Sequence, residues 1–311
     1  MRSPQRFTAG RFTAIRSSVV SLGLALCLGA SPAAYAQKDF QSPEAAMTSF
    51  GNAVANNDEA ALKALFGANF RQLIPPAGAE IRSRFLTAWN TSHTIQPIND
   101  KRAHIAVGKD GWTLPIPLVK SAKGWHFDTR AGAEEMRLRR IGRNELAVIQ
   151  TMLAIYDAQR EYVKTDHDGS GVLAYATKLS SSPGKQDGLY FPTKPNDKPS
   201  PLGPAFLTAG ARNAGKAGYY GYHYKMLTSQ GSHAPGGAYS YIVNGKLFGG
   251  FAVIAWPVRY GDTGIKSFII SHEGQVYERD LGPSGATKAA AMTSFDPGPG
   301  WAKESHLDEQ P

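Results

Sequence analysis

The chain has 311 residues, 34 Lys+Arg against 25 Asp+Glu for a formal net charge of +9, 42% hydrophobic and 10% aromatic residues, and one cysteine. Such a composition belongs to a folded protein rather than a disordered one, and the length allows two ordinary domains, each with its own core. The charge excess is mild, and no dense Lys/Arg run alternates with aromatics, which argues against a nucleic-acid partner.

Residues 1–36 read as an export leader. Arg2, Arg6, Arg11 and Arg16 form a basic start, Ser18–Ala30 an apolar stretch, and Ala34-Tyr35-Ala36 a cleavage signal before Gln37. The apolar stretch is shorter than the about 20 residues a membrane span needs. Cleavage after Ala36 predicts a periplasmic or secreted chain with no membrane span, and lowers the charge excess from +9 to +5 by removing four arginines. Cys27 leaves with the leader; Leu26 stands where a lipoprotein signal has a small residue. The mature chain therefore offers no disulfide, thiol nucleophile or Cys-ligated metal.

A first domain is expected over residues 37–130. Ser42-Pro43-Glu44 reads as cap, first turn and dipole partner of a helix whose Met47, Phe50 and Val54 share one face. Asn57-Asp58 breaks and recaps the chain, Leu62, Leu65 and Phe66 continue a second amphipathic segment, and a third short helix is expected around Glu80–Trp89. Then the period changes. Residues 103–107, 112–118 and 124–128 run apolar or alternate over strand lengths. Helices followed by a meander of strands indicate α+β, with helices on one sheet face. The order, beginning SPEAAMTSFGNAVANNDEAALKALF, resembles the cone-shaped (nuclear transport factor 2-like or cystatin-like) helix-on-sheet domain shared with ketosteroid isomerase. Some members of that fold are enzymes with a pocket Asp or His. Here His126 and Asp128 flank Phe127 on a strand and would share its opposite face. They are candidates for a pocket acid/base pair; the other reading is a solvated face behind a buried Phe127.

A connecting segment, residues 131–144, carries Glu134, Glu135 and the arginines 137, 139, 140 and 143, which read as a charged helix interrupted near Gly142. Asn144 is expected to cap a second helix with Leu146, Ile149, Leu153 and Tyr156 as its apolar stripe. At its end, Asp166-His167-Asp168-Gly169-Ser170-Gly171 has oxygen side chains at alternate positions and then glycine. Asp166, Asp168 and Ser170 would be the first, third and fifth positions of a calcium loop, since Ca²⁺ takes six to eight hard oxygens. Thr177 stands where the bidentate Glu should be, so the choice is between a weak calcium site and a polar helix-ending turn. No other cofactor is implied.

A second α+β domain is expected over residues 145–301, a long helix packed on an antiparallel sheet, with a tail at 302–311. Residues 190–204 form a Pro-rich loop. Strands are expected at 219–227, 238–243, 248–255, 265–271 and 275–278, with Asn244-Gly245, Gly261-Asp262 and Glu273-Gly274 as turns. The blocks GWHFDTRAGAEEMRLRRIGRNELAVIQTMLAIYDAQREYV, DHDGSG, GYHYKMLTSQGSHAPGGAYSYIVNGKLFGGFAVIAWPVRYGDTGIKSFIISHEGQVYERDLG and FDPGPGW are similar to the exported bacterial family catalogued as domain of unknown function 2950. The resemblance implies export and no established activity. A looser likeness, through AQREYV, GLY, GYHYKML, FAVIAWP and TGIKSFIISHEGQVY, is to the globular heads of type II secretion pseudopilins and type IV pilins. The apolar filament-forming helix of those subunits has no counterpart here, because Arg139-Arg140-Ile141-Gly142-Arg143 and a whole domain precede the head.

No G-x-S-x-G, H-E-x-x-H, Walker or G-x-G-x-x-G signature occurs, and the eight histidines are scattered. The expectation is a noncatalytic binding or assembly protein of the cell envelope, its partner an envelope protein or a small ligand. The alternative is a small-molecule hydrolase or isomerase with its pocket in the first domain.

Overall fold

A computed structural model of the chain describes residues 37–194, 198–203 and 218–304. The expected leader, part of the Pro-rich loop and residues 305–311 of the expected tail lie outside them. The described chain is mixed α and β, with open antiparallel sheets and one long helix.

Helix α1 (Pro43–Ala55) starts where its capping residues dictate: Ser42 Oγ accepts the Ala45 N–H at 3.2 Å. Asp58 caps α2 (Glu59–Phe66) in the same way, at 2.9 Å from the Ala61 N–H. A single turn, α3 (Phe70–Leu73), and α4 (Ala79–Thr91) complete the helical layer. The sheet under it comprises β1 (His93–Asn99), β2 (Arg102–Val107), β3 (Trp112–Thr113), β4 (Leu118–Ser121) and β5 (Gly124–Phe127). It runs β1-β2-β4-β5, with β3 attached to β2. The strand expected over 112–118 is broken in two, because Pro115 and Pro117 have no N–H for the ladder. Phe50 sits at the centre of the core, its ring centroid 5.7–6.0 Å from those of Phe66, Phe85, Trp89 and Phe127.

The expected interruption at Gly142 does not occur. Asp128 caps one continuous helix of 34 residues, α5 (Thr129–Tyr162), and Asn144 lies inside it. Gly142 in an exposed helix position costs about 1 kcal/mol; tertiary contacts on both sides override that preference. Before it, Gly132 packs on Ile116, Met136 joins the first core, and Arg139 donates to the Thr113 carbonyl at 2.7 Å. On either side of it, Arg137, Arg140 and Asn144 bind the 261–263 turn, Asn144 Nδ2 donating to the Thr263 carbonyl at 2.8 Å. The arginines are also paired with their neighbours, Arg137 with Glu134 and Arg139 with Glu135. The buried stripe of the second half is Val148, Ile149, Met152, Ile155, Gln159 and Tyr162; Leu146, expected within it, is 54% exposed.

After α5 come the parallel pair β6 (Lys178–Ser180) and β7 (Gly188–Tyr190), then β8 (Tyr222–Leu227), β9 (Ser229–Gln230), β10 (Tyr239–Ser240), β11 (Ile242–Val243), β12 (Lys246–Leu247), β13 (Ala252–Pro257), β14 (Lys266–Ser271) and β15 (Val276–Asp280). Helix α6 (Gly285–Ala291), β16 (Ser294–Phe295) and β17 (Ala302–Lys303) close the chain. The main sheet has the order β17-β15-β14-β13-β8. Strand β13 explains the run FAVIAW: Val253 and Ala255 face α5, while Ala252, Ile254 and Trp256 face Ala289 of α6 and Phe295. Both faces of β13 are covered, so all six of its residues are buried.

Candidate functional site

Gln159, fully buried on α5, donates Nε2–H to the Ala176 carbonyl and accepts the Ala176 N–H, each at 2.9 Å. This pair satisfies both backbone groups of one residue and fixes the return of the acidic turn toward the sheet. Within the turn, Asp166 is folded inward. Its Oδ1 accepts the N–H groups of Asp168, Gly169 and Ser170 at 3.2, 2.9 and 3.3 Å, and its Oδ2 that of Gly171 at 2.7 Å. Gly169 and Gly171 supply the positive φ values, 72° and 76°, that let the backbone wrap around one carboxylate.

Asp168 points the other way. Both its oxygens receive the Lys246 ammonium, at 2.9 and 2.7 Å, and Ser170 Oγ accepts from the same nitrogen. These bonds to Lys246 and Ser170 hold the Asp168 carboxyl well below the usual carboxylate range. The cation of this turn is thus a side chain from β12. A calcium ion at Asp166, Asp168 and Ser170 would have to displace Lys246, and Asp166 already satisfies four N–H groups. Among the described residues no group of three or more His, Cys, Asp and Glu side chains could hold a metal ion. Lys246 lies 78 residues from Asp168, so no local reading of DHDGSG could have found it.

The Lys246 ion pair also pins the hairpin of β11 and β12 to the turn, with Tyr175 N–H donating to the Leu247 carbonyl at 2.8 Å beside it. Asn244 and Gly245 have φ values of 50° and 77°, as a two-residue primed turn requires. The hairpin presents Ile242, Val243 and, just beyond it, Phe248 to solvent at 44%, 46% and 58% exposure, and the turn adds Val172 and Leu173. Five large apolar side chains are thus exposed along the hairpin and the turn.

Turn and hairpin together border a polar cleft of about 750 Å³ lined by Tyr162, His167, Tyr175, Lys185, Asp187 and Lys246 among others. His167 stacks on Tyr162 with 3.8 Å between centroids. Burial pushes the Tyr162 hydroxyl up to about 12, and it donates to the Gln186 carbonyl. Lys178 and the Ser182 N–H hold Asp187 at about 2. The carboxylates and Lys246 are therefore spent on internal partners.

The N-terminal half contains a second cleft, about 570 Å³, between the helical layer, β3 and α5, walled by Phe50, Val54, Leu62, Phe85, Leu114 and Met136 among others. His126 and Asp128 do not line it. Strand β5 ends at Phe127, so Asp128 leaves the sheet and caps α5 at 2.9 Å from the Ala131 N–H. His126 lies on the sheet face opposite the buried Phe127, its Nδ1 3.5 Å from Asp39 Oδ1 and without a hydrogen bond. The two residues are not brought together as an acid/base pair.

No helix among the described residues is long and apolar enough to cross a membrane. No curated protein and no solved structure matches the chain. One family match spans residues 37–304, nearly all of the chain beyond the expected leader, and the protein belongs to that family, described as protein of unknown function DUF2950.

Proposed function

We propose that this protein is an exported, noncatalytic binding or assembly module of the cell envelope, working in the periplasm or outside the cell. The observation that carries the reading is the apolar rim of Ile242, Val243 and Phe248 beside Val172 and Leu173, held in place by the Lys246–Asp168 ion pair. Exposed apolar surface on a fixed support is what a protein partner covers. The leader-like residues 1–36 supply the address. The cone-like and pilin-head likenesses, and the division into two domains, belong to the same proposal; they rest on the order of elements.

The cleft of the N-terminal half is the feature that favours the alternative, a small-molecule hydrolase or isomerase. That reading is weaker because its candidate residues, His126 and Asp128, stand outside the cleft. The test is photo-crosslinking in intact envelopes from position 248, with position 98 of β1 as the exposed control. A discrete adduct from 248 alone, lost in an Ile242→Asp, Val243→Asp variant, supports the proposal. No adduct from 248, or the same adducts from both positions, overturns it.

A further inference from the structure

The N-terminal cleft carries an inference of its own, independent of the hairpin. Its volume of about 570 Å³ lies within the range of about 300–1,000 Å³ of small-molecule sites. Its walls are aliphatic and aromatic, and its polar groups stand together at one mouth: Glu59, Arg71, Asn57 and Arg82. These four are not electrostatically balanced. Arg71 is ion-paired with Glu59 and turns a further N–H toward the Ile74 carbonyl at 3.4 Å. Arg82 has only a neutral partner: its Nη1 donates to Asn57 Oδ1 at 2.6 Å, and no described carboxylate lies within ion-pair distance.

The mouth therefore has one uncompensated positive charge over an apolar interior. Asn57 holds the guanidinium by one nitrogen, and the rest of its planar fork remains free for a second acceptor. A fork of this shape matches a carboxylate in a bidentate pair. A dianionic head would bring surplus negative charge up against Glu59, whereas a monoanion neutralises the mouth. The interior asks for a long apolar group in the same molecule, since burying CH₂ groups against Phe50, Val54, Leu62 and Phe85 is worth about 0.8 kcal/mol each. We propose that this cleft binds a fatty acid of about twelve carbons or more, acyl chain inward and carboxylate on Arg82.

The site also touches α5 through Met136, the helix that runs on to the second sheet. An occupant would thus contact the element that joins the two halves.

The experiment is calorimetric titration of the full mature chain with dodecanoate below its micellar concentration, with dodecanol and acetate in parallel. The expected result is one saturable dodecanoate site per chain, weaker binding of dodecanol, and no binding of acetate. Arg82→Gln should weaken dodecanoate about tenfold, in line with loss of a charge-assisted hydrogen bond, and leave dodecanol unchanged. Ile74→Trp, which fills the cleft wall, should abolish both, with the melting temperature of each variant confirming that it folds. No saturable dodecanoate binding in the wild type overturns the proposal. Equal binding of dodecanol and dodecanoate, an unaffected Arg82→Gln variant, or full binding by a folded Ile74→Trp variant overturns it equally.

Discussion

The two halves of the chain each pack helices on an antiparallel sheet, and they leave their unsatisfied apolar surface in opposite places. In the N-terminal half the core is one aromatic cluster around Phe50, the strand β1 is almost wholly exposed, and the spare apolar surface is concave, inside a cleft. In the C-terminal half β13 is buried between α5 and α6, and exposed apolar side chains gather on the hairpin of β11 and β12 and just beyond it. The proposed fatty-acid site is thus recessed, and the proposed partner surface is exposed. What lets one chain hold both is α5, which contributes Gly132 and Met136 to one core and Val148 to Tyr162 to the other.

The largest expected effect breaks the comparison at its N-terminal end. Phe50→Ala removes the ring around which four others are arranged, a loss of about 3–5 kcal/mol. Urea unfolding should show that loss; a change of under 1 kcal/mol would mean the cleft collapses onto the vacancy and is not a fixed cavity. Next comes the spine itself. Gly142→Pro removes an α5 hydrogen bond and crowds the Leu138 carbonyl, costing about 3 kcal/mol. Calorimetry should show one transition for the wild type and two for the variant. A single transition in the variant would show that the Arg137, Arg140 and Asn144 contacts to the 261–263 turn couple the halves without a continuous helix.

How much of this was legible beforehand depends on how local the determining interaction is. Ser42, Asp58 and Asn244-Gly245 act within four residues of themselves, so the helix starts and the hairpin were readable from the sequence. Strand β1 was not, because its exposed residues show no alternation and Pro97 argues against a strand. Gly142 misled because its weak preference is overridden by partners more than 100 residues away. The acidic turn was correctly placed at the end of a helix, but the lysine that fills it comes from β12. A pocket in the first domain belonged to the alternative reading, but its lining was not legible, since Phe50, Arg82, Leu114 and Met136 meet only in three dimensions.

A smaller effect sharpens the comparison through acidity. The ordinary value for Asp187 is 3.8, and Lys178 and Ser182 lower it to about 2 in the folded protein. A lowered folded value means the contribution is fully present above about pH 4 and is lost as pH falls through about 2. Hydrogen exchange of the 178–190 segment should therefore rise between pH 4 and pH 2, relative to the Phe50 core. In Asp187→Asn the rise should vanish; its persistence would assign the acid sensitivity to another group.

The smallest expected effect concerns calcium. Lys246 places its ammonium where an ion between Asp168 and Ser170 would sit, and a divalent ion would have to expel it while gaining little from an Asp166 already bonded to four N–H groups. Millimolar calcium should leave the wild-type melting temperature unchanged. A gain of a degree or more that Asp168→Ala abolishes would show that the lysine yields to the ion. The hairpin would then be released from the turn whenever calcium binds, and the exposed apolar rim would become a switchable surface. The same measurement on Lys246→Met separates the two cases. If the lysine serves only as an internal cation, its removal leaves Asp168 uncompensated and calcium should raise the melting temperature of the variant alone.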